Sequence, residues 1–281
     1  MTGLDRFLSS ERPIAEAAAG QAAMENAVKE QVARENAGEK EKADKAKTTA
    51  TAAMAQRPKT AARPLSLSPS SISLFIECPR CFWLDRVKGV KRPSGPFSSL
   101  PNGMDRVLKR HFDLHRGDNT PPEELEGRFR GRLFQDIEKL KVWRNNYKGL
   151  RWKDPKTGIT LMGAIDDLFV TEDGKYAPLD FKTRGYPRKG DTHSYYQHQM
   201  DIYSLLLEKN RMRPADFAIL IFYHPTGVNA SHDVIFDPDP VRVAVSRSRG
   251  EQLFHKAVEC LQRQEPPEPS RNCQWCRWKE K

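Results

Sequence analysis

GITLMGAIDDLFVTEDGKYAPLDFKT, residues 158–183, carries the strand-turn-strand pattern from which the architecture follows. Two β-prone runs flank Thr171-Glu172-Asp173-Gly174, a turn signal whose glycine tolerates positive φ. Gly158–Val170 therefore reads as one strand and Lys175–Thr183 as its antiparallel return. Side chains two apart on a strand share a face, so Asp180 and Lys182 project together. The turn brings Asp166, in the middle of the first strand, near Asp180 across the hairpin. Two carboxylates converging in an α/β core are costly unless a cation neutralises them. A hard divalent ion such as Mg²⁺ or Mn²⁺ suits carboxylate and carbonyl oxygens, which makes the backbone carbonyl of Phe181 a third candidate ligand. Lys182 is placed to position or activate an attacking water and to offset developing phosphate charge. Read alone, Asp180 and Lys182 also suit a surface ion pair on an edge strand. Asp167 competes with Asp166 for the ligand role.

Downstream, Ser194–Asn210 (SYYQHQMDIYSLLLEKN) sets Met200, Tyr203, Leu206 and Leu207 on one side of a helix. Phe217–Tyr223 (FAILIFY) is continuously apolar, as a buried central strand is. Ser231–Phe236 reads as a further strand and Arg247–Gln264 as a last helix. Upstream, Ser68 is an N-cap before a short helix, Ile72–Leu84, and Met104–His115 is a second helix. Pro121-Pro122-Glu123-Glu124 opens a third, extending to Val142, since proline and acids suit a first turn. The order predicts an α/β domain with a mixed central sheet flanked by helices.

The succession GAIDDLFV, PLDFKT, YYQHQMDIY resembles the RecB-like branch of the PD-(D/E)XK nuclease superfamily. The matching residues are Gly163 with Asp166, Asp180 with Lys182, and Gln199 with Tyr203. The resemblance implies a restriction-endonuclease-like core over residues 66–281. It also implies metal-dependent hydrolysis of DNA, exonuclease sooner than endonuclease, on single strands or duplex ends, in repair, recombination or defence. Carried over, Asp166 and Asp180 are metal ligands and Lys182 is the catalytic lysine. Gln199 and Tyr203, one helical turn apart, support ligands or substrate. The spacing from Gly163 favours Asp166 over Asp167. Family members often carry an upstream histidine ligand after a glycine. Here Gly103 opens the helix GMDRVLKRHFD, but the histidine position is not filled; His111 and Asp105 are the available substitutes, with His111 read first as a partly exposed helix residue.

Cys78 and Cys81 form CPRC, and Cys273 and Cys276 form CQWC. Each pair can bite one tetrahedral ion or cluster from a tight turn. The 191 residues between Cys81 and Cys273 are too many for a zinc ribbon and suit a staple between the first helix and the last turn. Some RecB-like nucleases, CRISPR-associated exonucleases among them, hold a four-iron four-sulfur cluster with one cysteine before the fold and three after. This chain has two and two, so the resemblance implies that cluster with structural Zn²⁺ as the alternative. Cys260, in AVECLQ, reads as a small buried apolar residue.

Lys and Arg number 47 against 37 Asp and Glu, a net +10 that favours a polyanionic partner such as DNA. Trp83, Trp143, Trp152, Trp275 and Trp278 stand beside Arg and Lys as candidate base-stacking platforms, although each taken singly reads as core, and RNCQWCRWKEK (271–281) is the best surface. Residues 1–65 hold no Trp or Tyr and a single Phe, and cannot bury much apolar surface. They are expected to be a helical or disordered extension and linker. Residues 1–60 are either a dispensable tail or the binding element for a protein partner. No run of about 18 apolar residues exists, which argues against a membrane span. The first twenty residues lack a basic region followed by an apolar run, so a cytoplasmic location with reduced thiols is expected. The competing class is a non-catalytic DNA-binding module, or a structural subunit of a repair complex, that retains the nuclease fold.

Overall fold

The 158–183 stretch folds as two strands and a return, because its first strand is broken in the middle. The computed structural model describes residues 65–279 apart from residues 94 and 96–98. The chain divides into Met1–Ala62 and Arg63–Lys281, and the described residues lie in the second unit. The extension expected at residues 1–65 falls outside them, Leu65 excepted.

The elements begin with β1 (Ser66–Leu67), α1 (Pro69–Glu77), α2 (Pro79–Trp83), α3 (Ser99–Asp118), β2 (Gly131–Leu133) and α4 (Ile137–Trp143). There follow β3 (Leu150–Lys153), β4 (Thr160–Gly163), β5 (Asp167–Thr171), β6 (Tyr176–Thr183) and α5 (Gln197–Lys209). The chain continues with β7 (Phe217–Val228), β8 (Val234–Ala244), α6 (Arg247–Leu261) and α7 (Gln274–Lys279). A small sheet has the order β1-β4-β3 and the main sheet the order β2-β5-β6-β7-β8. The main sheet is mixed: β6 and β7 are parallel, joined through α5, and its other pairs are antiparallel.

The main sheet is covered on both faces, which explains the unbroken apolar run of β7. Ala218, Leu220 and Phe222 pack toward Ile202 and Leu206 of α5 and Phe254 of α6. Ile219 and Ile221 belong to a second core with Leu108 and Phe112 of α3. The rings of Phe112 and Phe181 meet edge to face with centroids 4.7 Å apart. Alternation along β6 thus sends Leu179 and Phe181 to the α3 side and leaves Asp180 and Lys182 on the α5 side.

Three expectations are corrected. Residues 121–142 are not one helix: turns at 123–128 lead into β2, and a separate helix, α4, is capped by Asp136. Gly131 explains the strand. It has φ +147°, and a Cβ there would lie 2.2 Å from the Val170 carbonyl oxygen of β5. The helix expected at 72–84 starts earlier, on the Ser68 capping box, and stops at Cys78, which is extended (φ −160°) ahead of Pro79. Asp166 does not sit mid-strand. Ala164–Asp166 form a crossover between the two sheets, pinned by Ile165 N–H to the Trp143 carbonyl (3.1 Å) and by Arg144 Nε to the Asp166 carbonyl (2.7 Å). The next carboxylate, Asp167, is fully buried and bonds Arg116 Nη2 (2.6 Å) and Arg144 Nη2 (3.1 Å). Pattern alone shows an apolar run with two acids; the buried ion cluster is what breaks it.

Candidate active site and cysteine cluster

Asp180 projects from β6 toward α5 and is 1% exposed. Its Oδ1 accepts from Gln199 Nε2 at 3.0 Å. The same nitrogen donates to the Tyr203 hydroxyl at 2.9 Å, so the residues four apart on α5 act as one brace. Asp180 Oδ2 is buried, accepts no hydrogen bond and is met by the Lys182 ammonium. That ammonium also lies 4.7 Å from the centre of the Tyr196 ring. The pair is no surface salt bridge. Burial pushes the Asp180 carboxyl up to about 7, against the pull of Lys182 and with the added repulsion of Asp166. Burial likewise raises the Tyr203 phenol well above its ordinary range, with Asp180 and Asp166 adding to it.

Gly163 makes this arrangement possible. A Cβ at Gly163 would lie 2.9 Å from Leu206 Cδ1 and 3.0 Å from Tyr203 Cε1. Only a bare α-carbon lets α5 seat this close to β4. The Gly-x-x-Asp spacing thus places the strand end under Tyr203 and delivers Asp166 three residues later.

Asp166 comes from the crossover and lines the same cleft, about 370 Å³, as Asp180, Phe181, Lys182, Gln199 and Tyr203. Its Oδ1 accepts from Lys109 Nζ at 2.8 Å, and Lys109 also bonds Asp105 Oδ2 at 2.7 Å. Burial favours neutral Lys109, but Asp166 and Asp105 together carry its pKa above the ordinary value. Two converging carboxylates, Asp166 and the buried Asp180 whose Oδ2 carries only the Lys182 ammonium, are a donor set that fits a hard divalent cation.

A family model of the PD-(D/E)XK nuclease superfamily matches residues 66–280. The chain belongs to the PD-(D/E)XK nuclease superfamily. Among solved structures, the crystal structure of SSO0001 is similar over 74% of this chain and 82% of that chain, at 13% identity and a TM-score of 0.37. No curated protein matches this chain in sequence.

PD-(D/E)XK nucleases use divalent metals, and the residues chosen for that chemistry from sequence meet in one cleft. Asp167 does not share it, being held in the interior by Arg116 and Arg144. Burial pushes the Asp167 carboxyl up against the pull of these two guanidiniums. Of the two substitutes for the upstream histidine, Asp105 lines the cleft. His111 is instead engaged with Glu124 (3.1 Å) and stacked edge to face on His115. Lys109, Arg144, Asn102 and Asn146 also line the cleft, and sequence reasoning missed all four. Only Lys109 carried a signal, standing one helical turn after Asp105.

Cys78, Cys81, Cys273 and Cys276 come together, their sulfurs all within 4.8 Å of one another. The break at Cys78–Pro79 turns Cys78 and Cys81 to one side; Cys276 is delivered by α7 and Cys273 directly precedes it. Burial raises the Cys81 and Cys276 thiols. Burial pushes Cys273 the same way, but hydrogen bonds from Cys276 and its neighbours bring it down to about 6. Four such donors suit a metal ion or cluster. Cys260 is buried, as expected of a small apolar residue.

The tryptophans are mostly core. Trp83 and Trp143 are 2% and 7% exposed, and Trp152 packs on Phe254 with ring centres 5.7 Å apart. Trp83 and Trp143 are closed to bases, and Trp152 is partly buried. Trp275 is exposed, and the side chain of Trp278 lies outside the described residues. Among the described residues no helix is long and apolar enough to cross a membrane.

Proposed function

We propose that this chain is a RecB-like deoxyribonuclease that hydrolyses DNA phosphodiester bonds with Mg²⁺ or Mn²⁺. The observation that carries the reading is the buried Asp180, braced by Gln199 and Tyr203 and neutralised by Lys182, in one cleft with Asp166. Asp166 and Asp180, with the Phe181 carbonyl, would hold the ion, which when bound supplies a Lewis acid for the scissile phosphate and its attacking water. Gln199 fixes Asp180 Oδ1, so an ion bound through Oδ2 would take the place the Lys182 ammonium now holds. Lys182 Nζ, held within the site by Asp180 and the Tyr196 ring, orients the attacking water and offsets charge building on the phosphate.

A second groove lies against the first, sharing Asn146, Ala164, Gln199 and Tyr203 with it. The exposed ring of Tyr195 stands on its wall. This continuity supports a single strand or a frayed duplex end as substrate, and exonuclease over endonuclease action. The chemistry suits repair, recombination or defence in the cytoplasm, with residues 1–60 as the element available to a protein partner.

The test is cutting of end-labelled single- and double-stranded DNA by the full chain, with Mg²⁺, Mn²⁺ or EDTA. Asp180→Ala and Lys182→Ala should each lower the rate at least 100-fold with an unchanged circular dichroism spectrum. Wild-type protein that binds DNA but cuts no form with either ion would establish a non-catalytic binding module instead. That second reading has one observation in its favour: the Lys109 ammonium already sits on Asp166.

A further inference from the structure

The geometry points to a single tetrahedral zinc ion at the four cysteines, in place of a four-iron cluster. Zinc thiolate bonds are about 2.3 Å, so four sulfurs on one ion stand about 3.8 Å apart, the edge of a tetrahedron with that radius. The sulfurs of Cys78 and Cys276 are 3.8 Å apart. Those of Cys81 lie 3.6 Å from both Cys273 and Cys276. None of the four is more than 4.8 Å from another. The cage is therefore the size of one ion. In a cubane each cysteine binds a different iron, so the sulfurs surround eight atoms and are pushed outward by the radius of the cube. A cavity with three edges of 3.6–3.8 Å has no room for it.

The surroundings fit an ion with four thiolates, a group of net charge −2. Arg92 Nη2 donates to Cys273 Sγ at 3.6 Å and partly offsets that charge, while Arg92 Nη1 is anchored on Glu77. All four cysteines are buried and free of disulfides, and Leu74 of α1 packs on them, so water is largely kept from the bonds. The ion would clamp residues 198 apart in sequence, Cys78 and Cys276, and so close nearly the whole domain into a loop. It would also fix the end of α1, whose Ser73 hydroxyl bonds His198 Nε2 at 2.6 Å, one residue from Gln199. The clamp is a positioning device, and its occupancy is read without reference to DNA cutting.

The experiment is elemental analysis and zinc-edge X-ray absorption on the full chain, purified without oxygen and dialysed to remove loosely held ions. The expected result is about one zinc per chain with four sulfur neighbours at about 2.3 Å, in a colourless protein. Cobalt replacement should give the visible bands of a tetrahedral thiolate site. Cys276→Ser should remove most of the zinc and lower the melting temperature. Iron and sulfide at about four per chain with a broad band near about 400 nm would overturn the proposal. So would zinc whose neighbours are oxygen or nitrogen. Because the decisive measurements use the wild-type chain, a variant that fails to fold leaves the proposal open to refutation.

Discussion

Gly163→Ala should damage both the fold and the active site, through one methyl group. The new carbon would lie 2.9 Å from Leu206 Cδ1 and 3.0 and 3.2 Å from Tyr203 Cε1 and Cδ1. Carbon atoms prefer about 3.5–4.0 Å, so each contact is short by roughly 0.3–1.1 Å. The helix cannot retreat, because Met200 to Leu207 are all buried. Overpacking of this kind costs about 1–3 kcal/mol, partly offset by about 0.5–1 kcal/mol from replacing a strand glycine. A net loss of about 1 kcal/mol lowers the melting temperature of a domain of this size by roughly 2–4 °C. The ring that must yield carries the hydroxyl holding Gln199, and Gln199 holds Asp180. Metal-dependent cutting should therefore fall at least tenfold at temperatures where the variant is fully folded. The assays are differential scanning calorimetry and initial rates on labelled DNA, with Gly103→Ala as control, since a Cβ there meets nothing within 4 Å. Gly163→Ala protein that melts and cuts like wild type would refute the reasoning.

Three further outcomes are expected. The Asp180 pKa, about 7 against an ordinary 3.8, means the folded metal-free protein holds a proton that the unfolded chain releases between these values. Stability of the metal-free domain should therefore be full below pH 4 for this group and fall as pH rises through about 7, read as a lower melting temperature. Adding Mg²⁺ should move the midpoint of the cutting-rate profile to lower pH, since ion and proton compete for one carboxylate; a midpoint indifferent to Mg²⁺ concentration counts against Asp180 as ligand. Lys109→Met removes the ammonium that sits on Asp166 and should tighten Mn²⁺ binding severalfold in calorimetry. Weaker binding would show that Lys109 organises the site and does not compete with the ion.

The sequence by itself determined the frame of the site. Period-two alternation put Asp180 and Lys182 on one face of a strand, the 171–174 turn returned the chain, and the Gly163, Gln199 and Tyr203 spacings carried the superfamily resemblance. Paired C-x-x-C motifs announced a shared metal site across 191 residues. These features are local, or depend only on residue type and spacing. Tertiary structure decided what depends on burial and on distant partners. It put Asp166 in the cleft and sank Asp167 against Arg116 and Arg144, which no local pattern encodes. It put Lys109 on Asp166, broke the 158–170 run into strands of two sheets, and placed Trp83 and Trp143 in the core. It also set the spacing of the four sulfurs, on which the zinc proposal rests. Ligand identity can be written in a motif, but the size of a cage exists only where distant segments meet.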